Sequence, residues 1–366
     1  MRICHITTVH NRFDVRIFHK ELKSLVKVYP DIHLIVADGL GDKLVDGIQI
    51  HDIGKPSGRK ERFLKFPKLA LKKALQINAD LFHLHDPELL MIANGLKANG
   101  GKAIYDSHED LPRQIMSKTY IPKILRKIIS GFLERFENRK VSKMYGVIAA
   151  SNKLFVERFA KVNTNGIDIH NYPKRDDIDF CENWDNREMA IGYIGGIFKT
   201  RGIIETLDAI EGTDIKLLLA GNFSPADLEI ECKNHPAWEN VEYFGFLNRQ
   251  GINDLLKRIR LGLVILEATP SYVNSLPVKM FEYMAAGLPV VASNFPMWID
   301  IIESTKSGIF VDQTDSLDIR TKIQEIITNV ELLKEYGRNG RQTVLEKYNW
   351  EIEEERLIEF YKSIEY

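Results

Sequence analysis

One stretch of the chain, Asn274 to Ser293, leaves few folds open: Asn-Ser-Leu-Pro-Val-Lys-Met-Phe-Glu-Tyr-Met-Ala-Ala-Gly-Leu-Pro-Val-Val-Ala-Ser. Polar turn residues lead to Pro277, which suits the first position of a helix. Met280, Met284 and Ala285 follow at helical spacing, Gly287 stops the helix, and Leu288–Ala292 reads as a buried strand. Loop, helix and buried strand in that order make one unit of a parallel α/β sheet. Lys279 falls in the first turn of the helix, and Glu282 stands about one turn further on. Free backbone N–H groups, the positive end of the helix dipole and a lysine suit a diphosphate. A carboxylate one turn away suits a sugar diol such as a ribose. From spacing alone, the alternative is an ordinary αβ unit with Glu282 merely solvated.

The chain has 366 residues, enough for two domains that each bury a core. No apolar run reaches the roughly 20 residues that span a bilayer. The opening Met-Arg-Ile-Cys-His-Ile-Thr-Thr-Val is too short and polar for a signal peptide and reads as a first strand. Cys4, Cys181 and Cys232 show no ligand spacing and cannot all pair, so a reducing, cytoplasmic setting is expected. Net charge is −1, yet residues 1–173 hold 29 Lys and Arg against 18 Asp and Glu, a balance of +11, and the remainder carries −12. Such asymmetry marks either a surface facing an anionic partner or two domains that attract each other.

Within residues 1–173, short apolar runs alternate with amphipathic stretches, as in a parallel sheet covered by helices. Strands are expected at 2–9, 32–37, 48–53, 81–85, 103–105 and 146–149. Helical patterns fall at 16–28, 62–77, 88–99, 122–142 and 152–159. Ligands of such sheets sit beyond the carboxyl ends of the strands. There the chain places His10, Asp14 and Arg16, then His85, Asp86 and Glu88, then Asp106, His108 and Glu109. A metal site is one reading of these loops, but no His-x-x-x-His or Cys pair supports it. A polar cleft floor for sugar hydroxyls and phosphates is the better one, and no metal is expected. Lys55–Lys73 and Arg113–Lys161 are strongly basic. In the second, Ile121, Ile124, Leu125, Ile128, Ile129, Phe132, Leu133 and Phe136 keep helical spacing. A basic amphipathic helix can lie on an anionic bilayer, or it can simply pack on the sheet. Nucleic acid is not expected as a partner, since no recognition helix or aromatic-interleaved basic motif appears.

Residues 174–188 are polar, charged and without apolar periodicity, and read as a linker. Their Asp177-Ile178-Asp179 matches a metal-binding Asp-x-Asp only by chance. A second domain opens with strand 189–194 into Gly195-Gly196-Ile197-Phe198-Lys199-Thr200-Arg201-Gly202, where glycines admit a phosphate and Arg201 begins the next helix. Strands at 215–220, 241–244, 261–266 and 309–311 follow, the first ending at Gly221 and the second running into Gly245-Phe246-Leu247. Residues 349–366 read as an amphipathic terminal helix.

The run Ser-Leu-Pro-x-Lys-x-Phe-Glu-Tyr-Met-Ala-Ala-Gly-x-Pro-Val-Val-Ala-Ser resembles the nucleotide-binding motif of retaining glycosyltransferases of GT-B architecture, family GT4. That resemblance implies an α/β fold of two facing Rossmann-like domains, residues 1–173 and 189–348, with residues 349–366 packing back on the first. It implies donor binding by Gly195, Gly196, Arg201, Gly221, Phe246, Asn274, Ser275, Leu276, Pro277, Lys279 and Glu282. His108 is the implied residue at the reaction centre, and His10, Asp14, Arg16 and His85 are acceptor candidates. The donor is a nucleotide diphosphate sugar, with no cofactor and no metal. The acceptor would be lipid-linked, at an anionic membrane surface on the inner face of the plasma membrane, in bacterial surface polysaccharide or glycolipid assembly. Two positions depart from the family pattern. Gly196 stands where an arginine is expected, and Asn274 stands where the first of two glutamates is expected. These departures keep open a nucleotide-sugar-binding pseudo-enzyme, or an epimerase of the same architecture.

Overall fold

A computed structural model of the chain describes residues 1–118 and 121–365. It divides into two compact units, Met1–Asn171 with Ile352–Tyr366, and Tyr172–Glu351. Among the described residues, unit 1 carries an eight-stranded sheet. Its strands are β1 (Arg2–Ile6), β2 (Asp31–Val36), β3 (Lys43–Val45), β4 (Ile48–Asp52), β5 (Leu81–Leu84), β6 (Lys102–Ser107), β7 (Gly146–Ala149) and β8 (Gly166–Asp168). Their order is β3-β4-β2-β1-β5-β6-β7-β8, parallel throughout except for the β3–β4 hairpin. Both β3 and β8 escaped the sequence reading, because they are three residues long and carry no buried apolar run. The hairpin does leave a local trace: Asp46 and Gly47 both take positive φ at the turn, as Asp-Gly pairs favour.

Expected helix 62–77 is two helices, Arg59–Leu64 and Phe66–Ile77, because Pro67 restarts the helix near its N-terminus. The expected helix 88–99 opens as a 3₁₀ turn, Pro87–Met91, before Ala93–Ala98. The stretch expected as helix 16–28 begins as a π-type turn, Ile17–Leu22, and becomes α-helical only over Lys23–Leu25. Its Glu21 N–H bonds the Arg16 carbonyl five residues back, at 2.9 Å. This wider turn carries Glu21 into the protein, where the residue is fully buried.

Unit 2 has a six-stranded parallel sheet: β9 (Ala190–Ile194), β10 (Lys216–Ala220), β11 (Val241–Gly245), β12 (Leu261–Val264), β13 (Val290–Ser293) and β14 (Gly308–Val311). The order is β11-β10-β9-β12-β13-β14, so the winding reverses between β9 and β12. In unit 1 the reversal falls between β1 and β5. Such reversals open crevices at the carboxyl ends of the strands.

Residues 174–188 are not a free linker. Ile178 and Trp184 are buried in the core of unit 2, the Arg187 guanidinium donates to the carbonyls of Leu256 and Ile259, and Asp179 pairs with Lys257 at 2.6 Å. Two isolated apolar anchors leave no periodic signal, which is why the segment reads as polar. At the other end, the helix Trp350–Glu365 places Leu357, Tyr361 and Ile364 in buried positions. No helix among the described residues is long and apolar enough to cross a membrane.

Candidate anion and histidine sites

Unit 2 brings its glycine loops together at the β9–β12 reversal. Gly195, just after β9, takes φ +119° and donates its N–H to the Ala220 carbonyl at 2.9 Å. Gly221, just after β10, has φ +143°, and a Cβ there would stand 1.9 Å from the Gly195 carbonyl oxygen. Only glycine permits that approach of two backbones. At Gly196 a side chain would meet the Phe198 ring at 2.8 Å, so an arginine at this position would require that ring to move. Arg201 does not begin an α-helix. It ends a 3₁₀ turn, Lys199–Arg201, and the helix Ile203–Ile210 starts only after Gly202 turns the chain at φ +67°. From this turn the guanidinium folds back over Phe198 and donates to the Gly196 carbonyl at 3.1 Å.

The helix Val278–Ala285 has Pro277 as its cap rather than its first residue, with no side chain capping its N–H groups. Tyr283 pins this helix to the reversal: its hydroxyl donates to the Gly192 carbonyl at 3.1 Å and accepts from the Ile194 N–H at 3.0 Å. A Cβ on Gly262 would lie 2.1 Å from the Tyr283 ring, so the tyrosine needs a bare strand beneath it. The turn before the helix is held by the Ser275 carbonyl accepting from the Trp298 indole at 2.7 Å and by the Ser275 hydroxyl donating to the Tyr272 carbonyl. Leu276 packs on the core, and Asn274 reaches the Pro270 carbonyl. Phe246, after β11, is 77% exposed.

Lys279 is the unusual member. Its Nζ lies over the Tyr193 ring, 4.4 Å from the centroid, buried and with no hydrogen-bond acceptor; Nε of Arg201 is buried without one as well. Burial, with repulsion from Arg201 added, lowers the Lys279 ammonium to about 7. Two cationic groups with unspent donors at a glycine-lined reversal form a site for an anion with several oxygens. Glu282, expected to hold a diol, accepts from the Arg249 guanidinium at 2.8 Å. That partner lies 33 residues away and was not legible in the sequence.

Unit 1 gathers its polar residues at the β1–β5 reversal. His10 and Asp14 are partly exposed and 3.2 Å apart. Burial opposes charge on His10, but Asp14 and Asp86 hold its pKa above the ordinary value. The other acceptor candidates are spent internally. Arg16 is buried, with one terminal nitrogen donating to both Asp106 oxygens at 3.1 Å, the other to the Ile169 carbonyl at 2.9 Å, and its Nε 2.8 Å from Glu21. His85 is buried too, between Nδ1 of His5 at 2.9 Å and Nε2 of His108 at 3.0 Å. His108 also lies 3.2 Å from Asp106, and its ring is 4.9 Å from that of His10. Three participants went unremarked in the sequence: His5, His83 and Glu21. A signal existed for two of them. His83 and His85 stand two apart on one strand face, and His5 is their register partner on β1.

Two parallel-sheet units with an anion cradle at the second reversal are the architecture of GT-B glycosyltransferases. Residues 174–343 match the family described as glycosyl transferases group 1. The capsular polysaccharide biosynthesis glycosyltransferase CapM of Staphylococcus aureus is 24% identical, over 99% of this chain and 97% of that one. Among solved structures, sucrose-phosphate synthase from Thermosynechococcus elongatus superposes with a TM-score of 0.79 at 14% identity, covering 99% of this chain and 98% of the other. Anabaena HepE, in complex with UDP-glucose, superposes with a TM-score of 0.75 at 14% identity, over 99% and 100%.

Lys279→Met should stabilise the ligand-free protein by about 1–3 kcal/mol, the range for relieving a buried polar group without a partner. A lysine whose folded pKa lies below its unfolded value carries its full cost at low pH and sheds it as pH rises. The gain should therefore be largest below pH 7 and shrink above it. Denaturant unfolding at several pH values measures this, and a variant no more stable than the wild type would show that the ammonium is satisfied.

Proposed function

We propose that this protein is a retaining glycosyltransferase that moves a hexose from a nucleotide diphosphate sugar to an acceptor hydroxyl. Lys279 Nζ and Arg201 Nε, buried without acceptors beside Gly195 and Gly221, are the observation that carries this reading. A diphosphate supplies the acceptors these donors lack. As the glycosidic bond to the diphosphate breaks, negative charge grows on the leaving oxygens, and fixed donors aimed there favour the transition state. Ser275, Leu276 and Pro277 shape the turn that presents the uncapped N–H groups of Val278–Ala285 to the same phosphates. With two cationic side chains in place, this reading assigns no metal to the diphosphate. Retention and the role of His108, stabilising charge on the sugar, follow from the family resemblance, and no covalent nucleophile is invoked. The donor phosphate takes the acceptor proton. Phe246 is exposed and free to meet a base, and Glu282, steadied by Arg249, is placed to bind a diol.

The acceptor is proposed to be lipid-linked, on the cytoplasmic face of a membrane. The helix Lys123–Val141 supports this. Its buried residues are Ser130, Glu137 and Val141, whereas Ile124, Leu125, Ile128 and Phe132 are 49–75% exposed, with Lys123 and Lys127 among them. This part of the apolar stripe thus faces out, whereas Phe136 further along packs on the unit 1 core. Its charge complements an anionic bilayer, each basic residue near such a surface contributing about 1 kcal/mol. CapM, by its name, acts in capsular polysaccharide biosynthesis, and we place this protein in that kind of surface assembly.

Arg201→Ala should weaken binding of a nucleoside diphosphate by about 1.5–3 kcal/mol, the worth of a charge-assisted hydrogen bond, and leave nucleoside binding unchanged. Calorimetry reads both. Donor turnover with and without acceptor separates the other readings: an epimerase turns over donor alone, and a pseudo-enzyme binds without turnover.

Co-sedimentation with vesicles tests the membrane assignment. Binding should rise with anionic lipid, fall with salt, and weaken in a triple variant with Ile124, Ile128 and Phe132 changed to Ser. Binding that ignores lipid charge, or none, would favour a water-soluble acceptor.

A further inference from the structure

We propose that unit 1 binds one divalent metal ion of the zinc class through His5, Glu21, His83 and His85. The four side chains come from β1, the π-type turn, β5 and the residue that follows it, and all are buried. One ligand atom from each lies within 4.8 Å of the others. Three distances define a centre: Nδ1 of His5 and Nε2 of His85 are 2.9 Å apart, and each is 4.0 Å from Oε2 of Glu21. A triangle with those sides has a point about 2.1 Å from every corner, the length of a zinc–imidazole or zinc–carboxylate bond. Tetrahedral spacing, with edges of about 3.4 Å for such bonds, needs the short edge to open and the two long edges to close by about half an ångström each.

The ligand residues also carry buried atoms without hydrogen bonds. Neither oxygen of Glu21 makes a hydrogen bond, although Arg16 Nε stands 2.8 Å from Oε1, and Nε2 of His83 has no partner either. Buried polar atoms left in this state cost stability, and a cation answers the carboxylate directly. The nitrogens on the other side of the rings are already held. Nε2 of His5 and Nδ1 of His83 meet the Tyr361 hydroxyl at 3.0 and 2.5 Å, and Nδ1 of His85 meets Nε2 of His108 at 3.0 Å. Outer contacts of this kind orient the imidazoles of metal sites.

The donor set chooses the ion. Three imidazoles and one carboxylate suit zinc, whereas magnesium and calcium take oxygen ligands. Burial keeps His5 and His85 neutral, which is the form that binds a metal. With four protein ligands the ion is structural and leaves no open position for substrate. It would tie β1, β5 and the turn carrying Glu21 to one centre. It would also place the proton of His85 on Nδ1, so that this nitrogen donates to His108. All of these ligands lie in unit 1, so the proposal stands apart from the anion site of unit 2.

The test uses tag-free protein stripped with a chelator, then titrated with Zn²⁺ or Co²⁺ alone. One equivalent should bind per chain and raise the melting temperature, and bound cobalt should show the strong visible absorption of four-coordinate sites. Glu21→Gln and His5→Gln should each weaken binding at least tenfold, and Tyr361→Phe by about tenfold through the outer contacts. His235→Ala, in the partly exposed Asp208–Glu211–His235 group of unit 2, should change nothing. If the Glu21 or His5 variants do not fold, zinc-edge absorption of the wild type decides, with about three imidazoles expected around the ion. Binding below one equivalent, survival of binding in both ligand variants, dependence on His235, or an edge spectrum without imidazole overturns the site.

Discussion

A lysine amine buried beside a guanidinium, with no hydrogen-bond acceptor for Lys279 Nζ or Arg201 Nε, is the feature on which the proposed function of unit 2 depends. Folding alone gives no reason to keep Lys279 there. Its nearest partner is the face of Tyr193, and Arg201 repels it. The surrounding structure nevertheless holds it firmly. Tyr283 fixes the helix to the sheet by two hydrogen bonds in a place only Gly262 leaves open, and Gly221 meets Gly195 backbone to backbone. A scaffold that over-determines an unfavourable arrangement keeps it for a ligand.

Unit 1 resolves its polarity differently. Arg16, Asp106 and Glu21 form a buried ionic group with the stacked His83 and His85 and the tilted His5 beside them, and little of it reaches solvent. Among the residues singled out there, His10, Asp14, His108 and Glu109 retain exposure, and the buried ones position one another. Burial raises the Glu21 carboxyl, with Asp106 adding, and Arg16 counters the cost for Asp106. The sheet edge is therefore a rigid support with a narrow accessible rim.

How much of this was legible depended on the distance over which each signal acts. The stretch Asn274–Ser293 was readable because loop, helix and strand follow one another, and its strand and helix appear with shifts of one or two residues. The succession of strands and helices along the chain in each unit follows the same local alternation. The pairing of Glu282 with Arg249, the burial of Ile178 and Trp184, and the inward turn of Glu21 are long-range or depend on one extra residue per turn, so no periodicity announced them. The helix Lys123–Val141 is the instructive case. Its apolar spacing was visible, but spacing gives a stripe and not the side on which the protein lies, and here that side holds Glu137 with Tyr105 and Arg158.

The central claim is that Lys279 waits, largely uncharged above neutrality, for a diphosphate. Binding of a nucleoside diphosphate at pH 8, measured by calorimetry in buffers of different ionisation enthalpy, tests it most directly. Lys279 has a pKa of about 7 in the free protein, and an anion at its side favours the charged form. The account predicts uptake of nearly one proton per ligand bound, lost in Lys279→Met. Binding without proton uptake, or uptake that survives the substitution, would contradict it.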